Sequence, residues 1–281
     1  MKTNMNLMKS LMKMSQEQLH KVLYKYLTKY YDNIIIRDNF IIAIGDLSIG
    51  LVAHLDTVHK TLPCSFFYDQ EQKVLWSPNG LGADDRAGIY GIIQIVEAGY
   101  RPHIILCKDE EKGGIGAGSV VQMFPEYPFD NLKCLIELDR EGKKDCVFYE
   151  CDNDDFVKYI EKFGFKTNFG SFSDISILAP QWGVAAVNLS IGYYKEHTLA
   201  EFLSLTDMEK TIEKVKSILD SEKEMLNYGY IPAIYSNYKD SNCIFCEKFI
   251  KKNEGFCWYD YNLYHICCKE CFKVLFKRWY V

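Results

Sequence analysis

The chain has 281 residues, 48% of them hydrophobic and 25% charged, with a formal net charge of −5. That is enough apolar content for one large domain plus a small appendage and too much for a disordered chain. The acidic balance argues against a dedicated nucleic-acid binder. No apolar run approaches the ~18–20 residues of a membrane span. Lys9 and Lys13 interrupt the apolar N-terminal stretch, so no signal peptide is read. Of the eleven cysteines, six crowd into residues 243–271. That crowding is unlike a secreted disulfide framework and suits one zinc module in a reducing, cytoplasmic setting. The sequon at Asn188 is then without meaning.

Taken in order, Ser15 to Tyr31 predicts a helix, with Leu19, Val22, Leu23, Tyr26 and Leu27 at helical spacing and Ser15 as cap. Asn33 to Ile36 and Phe40 to Ile44 predict a hairpin turning at Asp38-Asn39. An apolar strand from Leu47 to Ala53 ends at His54-Leu55-Asp56. Residues 64–76 predict a strand pair, and Asn79-Gly80 a turn. The stretch Gly82-Ala83-Asp84-Asp85-Arg86-Ala87-Gly88 then opens a helix from Arg86 to Ala98. His103 to Cys107 is a strand that delivers Asp109-Glu110-Glu111-Lys112-Gly113-Gly114, and a helix follows over about Ala117 to Met123. Cys134 to Leu138 is a strand ending at Asp139-Arg140. Cys146 to Glu150 comes next, then a helix over Asp154 to Phe163, and Ser173-Asp174 opens a short helix. Val184 to Ile191 is a strand with His197 just beyond it, and Thr206 to Leu219 is an amphipathic helix.

Strands alternating with helices predict an α/β fold, with a mostly parallel mixed central sheet flanked by helices. We expect a catalytic domain over residues 1–225, a linker over 226–240 and a zinc-finger module over 241–281. In parallel sheets ligands sit beyond the carboxyl ends of strands. Five ligand-type residues, His54, Asp84, Glu111, Asp139 and His197, fall at strand ends or loops. Two divalent ions sharing one bridging carboxylate need about that many protein ligands. Nitrogen and oxygen donors without thiolate favour Zn²⁺, with Co²⁺ or Mn²⁺ as substitutes. Glu110, beside Glu111, suits a general base. Asp56, two residues after His54, suits the group that fixes the imidazole tautomer.

These motifs, with Ser190-Ile191-Gly192-Tyr193-Tyr194-Lys195-Glu196-His197-Thr198, resemble the co-catalytic zinc exopeptidase superfamily over about Phe40 to Leu219. That superfamily includes leucyl-type, glutamyl and tripeptide aminopeptidases and the acetylornithine deacetylase group. The resemblance implies His54 and Asp139 on one metal, Glu111 and His197 on the other, and Asp84 bridging. It also implies Glu110 as general base, Asp56 behind His54, and a cis Asp84–Asp85 peptide. The chain departs from the family in having no room for a dimerisation domain between Asp139 and His197, or for a small barrel between His54 and Asp84. A bare catalytic domain remains. Tyr194 and Arg140 are candidate substrate contacts, with Tyr193 and Arg86 as further ones, and Asp174 is a supporting residue. The expected substrate is a peptide or small amide. The competing readings are an amidase or deacylase of a modified amino acid, and a non-catalytic adaptor that presents the finger. Self-association into a homo-oligomer is compatible with either enzyme.

Near the C-terminus, Cys243-Ile244-Phe245-Cys246 and Cys268-Lys269-Glu270-Cys271 form two Cys-x-x-Cys pairs with structural-zinc spacing, and His265 is the alternative ligand. Lys248, Lys251, Lys252, Lys273, Lys277 and Arg278 stand among aromatic residues there. Acids dilute this charge, so we expect the module and its helix over Cys271 to Trp279 to make protein contacts more than nucleic-acid contacts.

Overall fold

In a computed structural model, the chain is described over residues 3–232, 241–250, 256–260, 263–268 and 271. It begins with a helix that the sequence reading lacks, α1 (Met5–Met12), capped by the Asn4 side chain. Met8, Leu11 and Met12 lie on one face and are buried, while the intervening polar positions hide that face from a reader looking for a continuous apolar run. Truncating Leu11, which is 2% exposed, to alanine is expected to cost about 2–5 kcal/mol, read as a lower Tm. A change within error would detach α1 from the core. In α2 (Gln16–Leu27) Ser15 and Gln18 form a reciprocal capping box, and the helix ends earlier than expected.

The hairpin β1 (Asn33–Arg37) and β2 (Phe40–Ile44) is followed by β3 (Ile49–His54), then by the short strands β4 (Phe67–Asp69) and β5 (Val74–Trp76). Next come α3 (Ala83–Glu97), β6 (His103–Cys107), α4 (Ile115–Met123), β7 (Cys134–Arg140), β8 (Asp145–Val147), α5 (Asp154–Glu161) and β9 (Lys166–Thr167). The main body continues with α6 (Ile175–Trp182), β10 (Ala185–Ser190), β11 (Tyr193–Tyr194), β12 (Phe202–Ser204) and α7 (Leu205–Asp220).

Eight strands form one sheet in the order β1-β2-β6-β3-β7-β10-β8-β9. Its centre, β6-β3-β7-β10, is parallel. These strands are buried on both faces and read as apolar runs rather than alternating ones. Because the four are neighbours and run the same way, their carboxyl ends lie side by side. A second, antiparallel sheet, β11-β12-β5-β4, stands apart from the first. His197 therefore does not follow the central strand β10 directly. It sits on the turn between β11 and β12, which the second sheet holds.

Residues 226–232, which fall in the expected linker, pack on the main body. Ala185 N–H donates to Tyr228 O at 2.8 Å, Tyr230 N–H donates to Gly183 O at 3.0 Å, and the Tyr228 ring packs on Phe156 and Tyr159. Asn188 is buried at 0% exposure, so its sequon is a core position. Beyond the body, β13 (Ser241–Asn242) pairs with β14 (Phe249–Ile250), and β15 (Phe256–Asp260) pairs with β16 (Leu263–Cys267). The expected helix over residues 271–279 and most of its basic residues lie outside the described residues, as does the side chain of His265. No described helix is long and apolar enough to cross a membrane.

Candidate active site

β3 ends at His54, which is 1% exposed. Its Nδ1 lies 3.2 Å from Asp56 Oδ1. A carboxylate can only accept, so Nδ1 donates to Asp56 and Nε2 is the nitrogen turned toward the other acids. Asp56 holds more than the imidazole, because its two oxygens also accept from Glu110 N–H at 3.0 Å and Glu111 N–H at 3.2 Å. Burial raises its carboxyl, but the bonds from His54 and Glu110 outweigh that and leave it below its ordinary value.

His54 Nε2 faces Asp84 Oδ1 at 2.9 Å and Asp139 Oδ1 at 3.4 Å. The other oxygen of Asp84, Oδ2, faces His197 Nε2 at 3.1 Å, and that nitrogen is 2.9 Å from Glu111 Oε1. Asp84 thus turns one oxygen to each of two nitrogens, and each nitrogen has a further carboxylate beside it. Ligands around a tetrahedral zinc with bonds of about 2.0–2.1 Å stand roughly 3.3 Å apart, and these spacings match. Glu111 Oε1 is buried, with His197 Nε2 its close polar neighbour. The donor set suits two divalent cations on these residues. Asp85 also lies near His54 and Asp139, but its oxygens accept from Gly88 N–H at 3.0 Å and His54 N–H at 3.3 Å, which turns them to the main chain. The Asp84–Asp85 peptide is cis.

Glu110, 7% exposed, opens a short 3₁₀ turn (Glu110–Lys112) after β6. Burial, helped by the charges of Asp139, Glu111 and Asp84, pushes its carboxyl up to about 8. Behind Asp139 lies a polar network that sequence reasoning missed. Asn188 Nδ2 donates to Asp139 O at 2.7 Å, and Asn188 Oδ1 accepts from Asp139 N–H at 2.9 Å. Ser173 Oγ donates to Glu137 and stands 3.4 Å from Asp139 Oδ2. A polar Asn and Glu inside apolar strands were the available signal. Asp174 is wholly buried at the start of α6, where burial raises its carboxyl well above the ordinary range.

A cleft of about 250 Å³ opens over these groups, lined among others by Asp84, Glu110, Glu196, Arg140, Tyr193 and Phe172. Arg140 lies where a substrate contact would be. Tyr194 does not: its hydroxyl donates to Asp207 Oδ2 at 2.8 Å and its ring stacks on Phe202. Neighbours on a strand point to opposite faces, and it is Tyr193 that lines the cleft, donating to Asp139 Oδ1 at 3.1 Å. Arg86 is 1% exposed and donates to the carbonyls of Asp56 and Met14, so it braces the site from beneath.

The sulfurs of Cys243, Cys246, Cys268 and Cys271 all lie within 4.8 Å of one another, and Cys246 and Cys268 are 3.6 Å apart. Thiolates on one zinc stand about 3.8 Å apart. Burial pushes the Cys243 thiol up, but backbone N–H groups around it prevail and bring it down to about 6, which favours the ligating form. Ile231 at the end of the main body packs against this cluster.

No protein-family model matches the chain, and no curated protein matches it by sequence. Solved structures do match it in fold. The aminopeptidase PepT from Bacillus cereus aligns with a TM-score of 0.64 at 15% identity, covering 78% of this chain and 97% of its own. A tripeptidase from Staphylococcus aureus aligns with 0.64 at 13%, covering 78% and 98%. The TET1 peptidase of Pyrococcus horikoshii, which can assemble into a tetrahedron or a large octahedral shell, aligns with 0.56 at 13%, covering 77% and 99%. At such identities the likeness is one of fold.

Proposed function

We propose that this chain is a metal-dependent hydrolase of the aminopeptidase type, cleaving an amide bond at the amino end of a peptide. The observation that carries this reading is the division of Asp84, one oxygen toward His54 and the other toward His197. His54 and Asp139 would hold one ion, Glu111 and His197 the other, with Asp84 between them. Such ions, when bound, polarise the scissile carbonyl and acidify water. Glu110 takes a proton from the attacking water and returns it to the departing amine. Asp56 keeps the His54 lone pair outward and sets the backbone of Glu110 and Glu111, so one side chain orients both a ligand and the base. The cleft is small, which favours a compact substrate, and Glu196 is the lining acid left to meet a protonated amine. Zn²⁺ suits the donors best, with Co²⁺ or Mn²⁺ as substitutes. The four cysteines would hold a third, structural zinc that contributes folding energy to the C-terminal module.

A metal count on the purified full-length protein tests this reading, followed by a panel of aminoacyl-chromophore substrates. The expected count is about three ions per chain, two at the active site and one at the cysteines, with release of chromophore. A count of about one would leave only the finger and favour a non-catalytic adaptor. A full count with no turnover on the panel would move the substrate to acylated amino acids.

A further inference from the structure

Glu201 follows His197 by four residues and was not singled out in the sequence. The loop between them is open to solvent, with Leu199 at 67% exposure, whereas Glu201 is at 1%. Its carboxylate is the buried end of that loop. Oε2 accepts from Gly82 N–H at 2.7 Å and from His59 Nε2 at 2.8 Å, and Oε1 accepts from Asp84 N–H at 3.0 Å. Three donors converge on it, two of them from the backbone that presents Asp84.

We propose that Glu201 is a positioning residue for the metal site, clamping the segment that carries Asp84 to the loop that carries His197. This rests on the metal-site reading above. Asp84 must aim its two oxygens in different directions, so its main chain has to be fixed on both sides. The bonds at Gly82 and Asp84 do that, and the same carboxylate ends the loop that swings His197 over the cleft. The local sequence is cut to fit. Gly80 has φ +85°, and a Cβ there would collide with the His59 ring. Gly82 has φ +68°, a left-handed turn that aims its N–H at Glu201. An amide cannot replace this carboxylate. Glutamine offers one accepting oxygen and sets an NH₂ group against an N–H.

The test uses full-length, metal-stripped protein titrated with Zn²⁺ by calorimetry, and with Co²⁺ followed by its visible absorption. Glu201→Gln is expected to weaken uptake at the two His/carboxylate positions about 10–100-fold, the usual effect of losing a group that orients ligands. It should change the Co²⁺ spectrum of those positions and leave uptake by the cysteines intact. His59→Ala removes one donor and should weaken the same uptake severalfold, while His59→Gln, which keeps an N–H donor, should restore it. Wild-type affinity in Glu201→Gln overturns the proposal. If that variant does not fold, wild-type affinity in His59→Ala overturns it. A wild-type protein that takes up ions only at its cysteines overturns instead the metal-site reading on which the clamp rests.

Discussion

Glu110→Gln is expected to lower kcat about a thousandfold or more, within the ~10²–10⁴ range for a positioned general base and toward its upper end, while both active-site ions stay bound. The two halves of this result come from different atoms. Glu110 stands within 4.8 Å of ligand atoms of His54 and Glu111 but makes none of the 2.9–3.4 Å contacts that join Asp84, Glu111 and Asp139 to the two histidines, so glutamine is expected to leave those ligands in place. It does remove the proton acceptor. Burial raises the Glu110 carboxyl to about 8, and the charges of Asp139, Glu111 and Asp84 add to this. A group of that proton affinity can take a proton from water and release it to an amine near neutral pH. Cations bound beside it would favour its ionised form, the form that accepts the proton. The measurement is kcat and KM on an aminoacyl substrate, with zinc content determined on the same sample. A variant within tenfold of wild type at full metal content would remove Glu110 from the role.

Much of this site could be read before the structure because of the sheet. His54, Glu110, Glu111 and Asp139 each stand where an apolar strand gives way to acids or imidazole. The order β6-β3-β7 then makes those three ends neighbours. Asp84 was legible from its small flanking residues. His197 was legible as a residue type but not as a place, since its position depends on the pairing of β11 with β12 and of β12 with β5, a long-range event without local signal. Glu201 escaped for the same reason, because its partners His59, Gly82 and Asp84 lie more than a hundred residues back in the chain. Which of Tyr193 and Tyr194 faces the cleft depends on strand phase, which two adjacent tyrosines cannot reveal. The packing of Tyr228 and Tyr230 was not legible because they sit among polar residues and Gly229, and their partners Gly183, Ala185, Phe156 and Tyr159 lie far back in the chain.

The metal-free protein is expected to lose stability as pH rises from 6 to 8, and the protein saturated with Mn²⁺ is expected to resist that loss. Mn²⁺ is the choice because it favours oxygen and imidazole over thiolate, so the cysteines do not contribute. The sign follows from the buried acids. In the folded chain Glu110 holds its proton up to about 8, and in the unfolded chain it loses it near the ordinary 4.5. Between those values the folded state binds more protons, so unfolding becomes easier with each step up in pH. Asp139 is raised by burial and by Asp84 and acts in the same direction. His197 does too: bonds to Asp84 and Glu111 raise it to about 11, so the stability it gains as a cation is complete below 6.5 and drains away above it. Asp84 and Asp56 are lowered. Their contribution is already complete above about pH 4 and adds no slope near neutrality. Cations reverse the balance, because they bind the deprotonated carboxylates and neutral imidazoles and expel the protons that the empty cluster retains. One retained proton over two pH units corresponds to about 2.7 kcal/mol, so at roughly 2–4 °C per kcal/mol the gap in Tm between Mn²⁺-loaded and stripped protein is expected to widen by at least roughly 5–10 °C from pH 6 to pH 8. Scanning calorimetry at the two pH values decides the matter. A gap that stays constant or narrows would mean that the acids around Asp84 do not share their protons with a metal site.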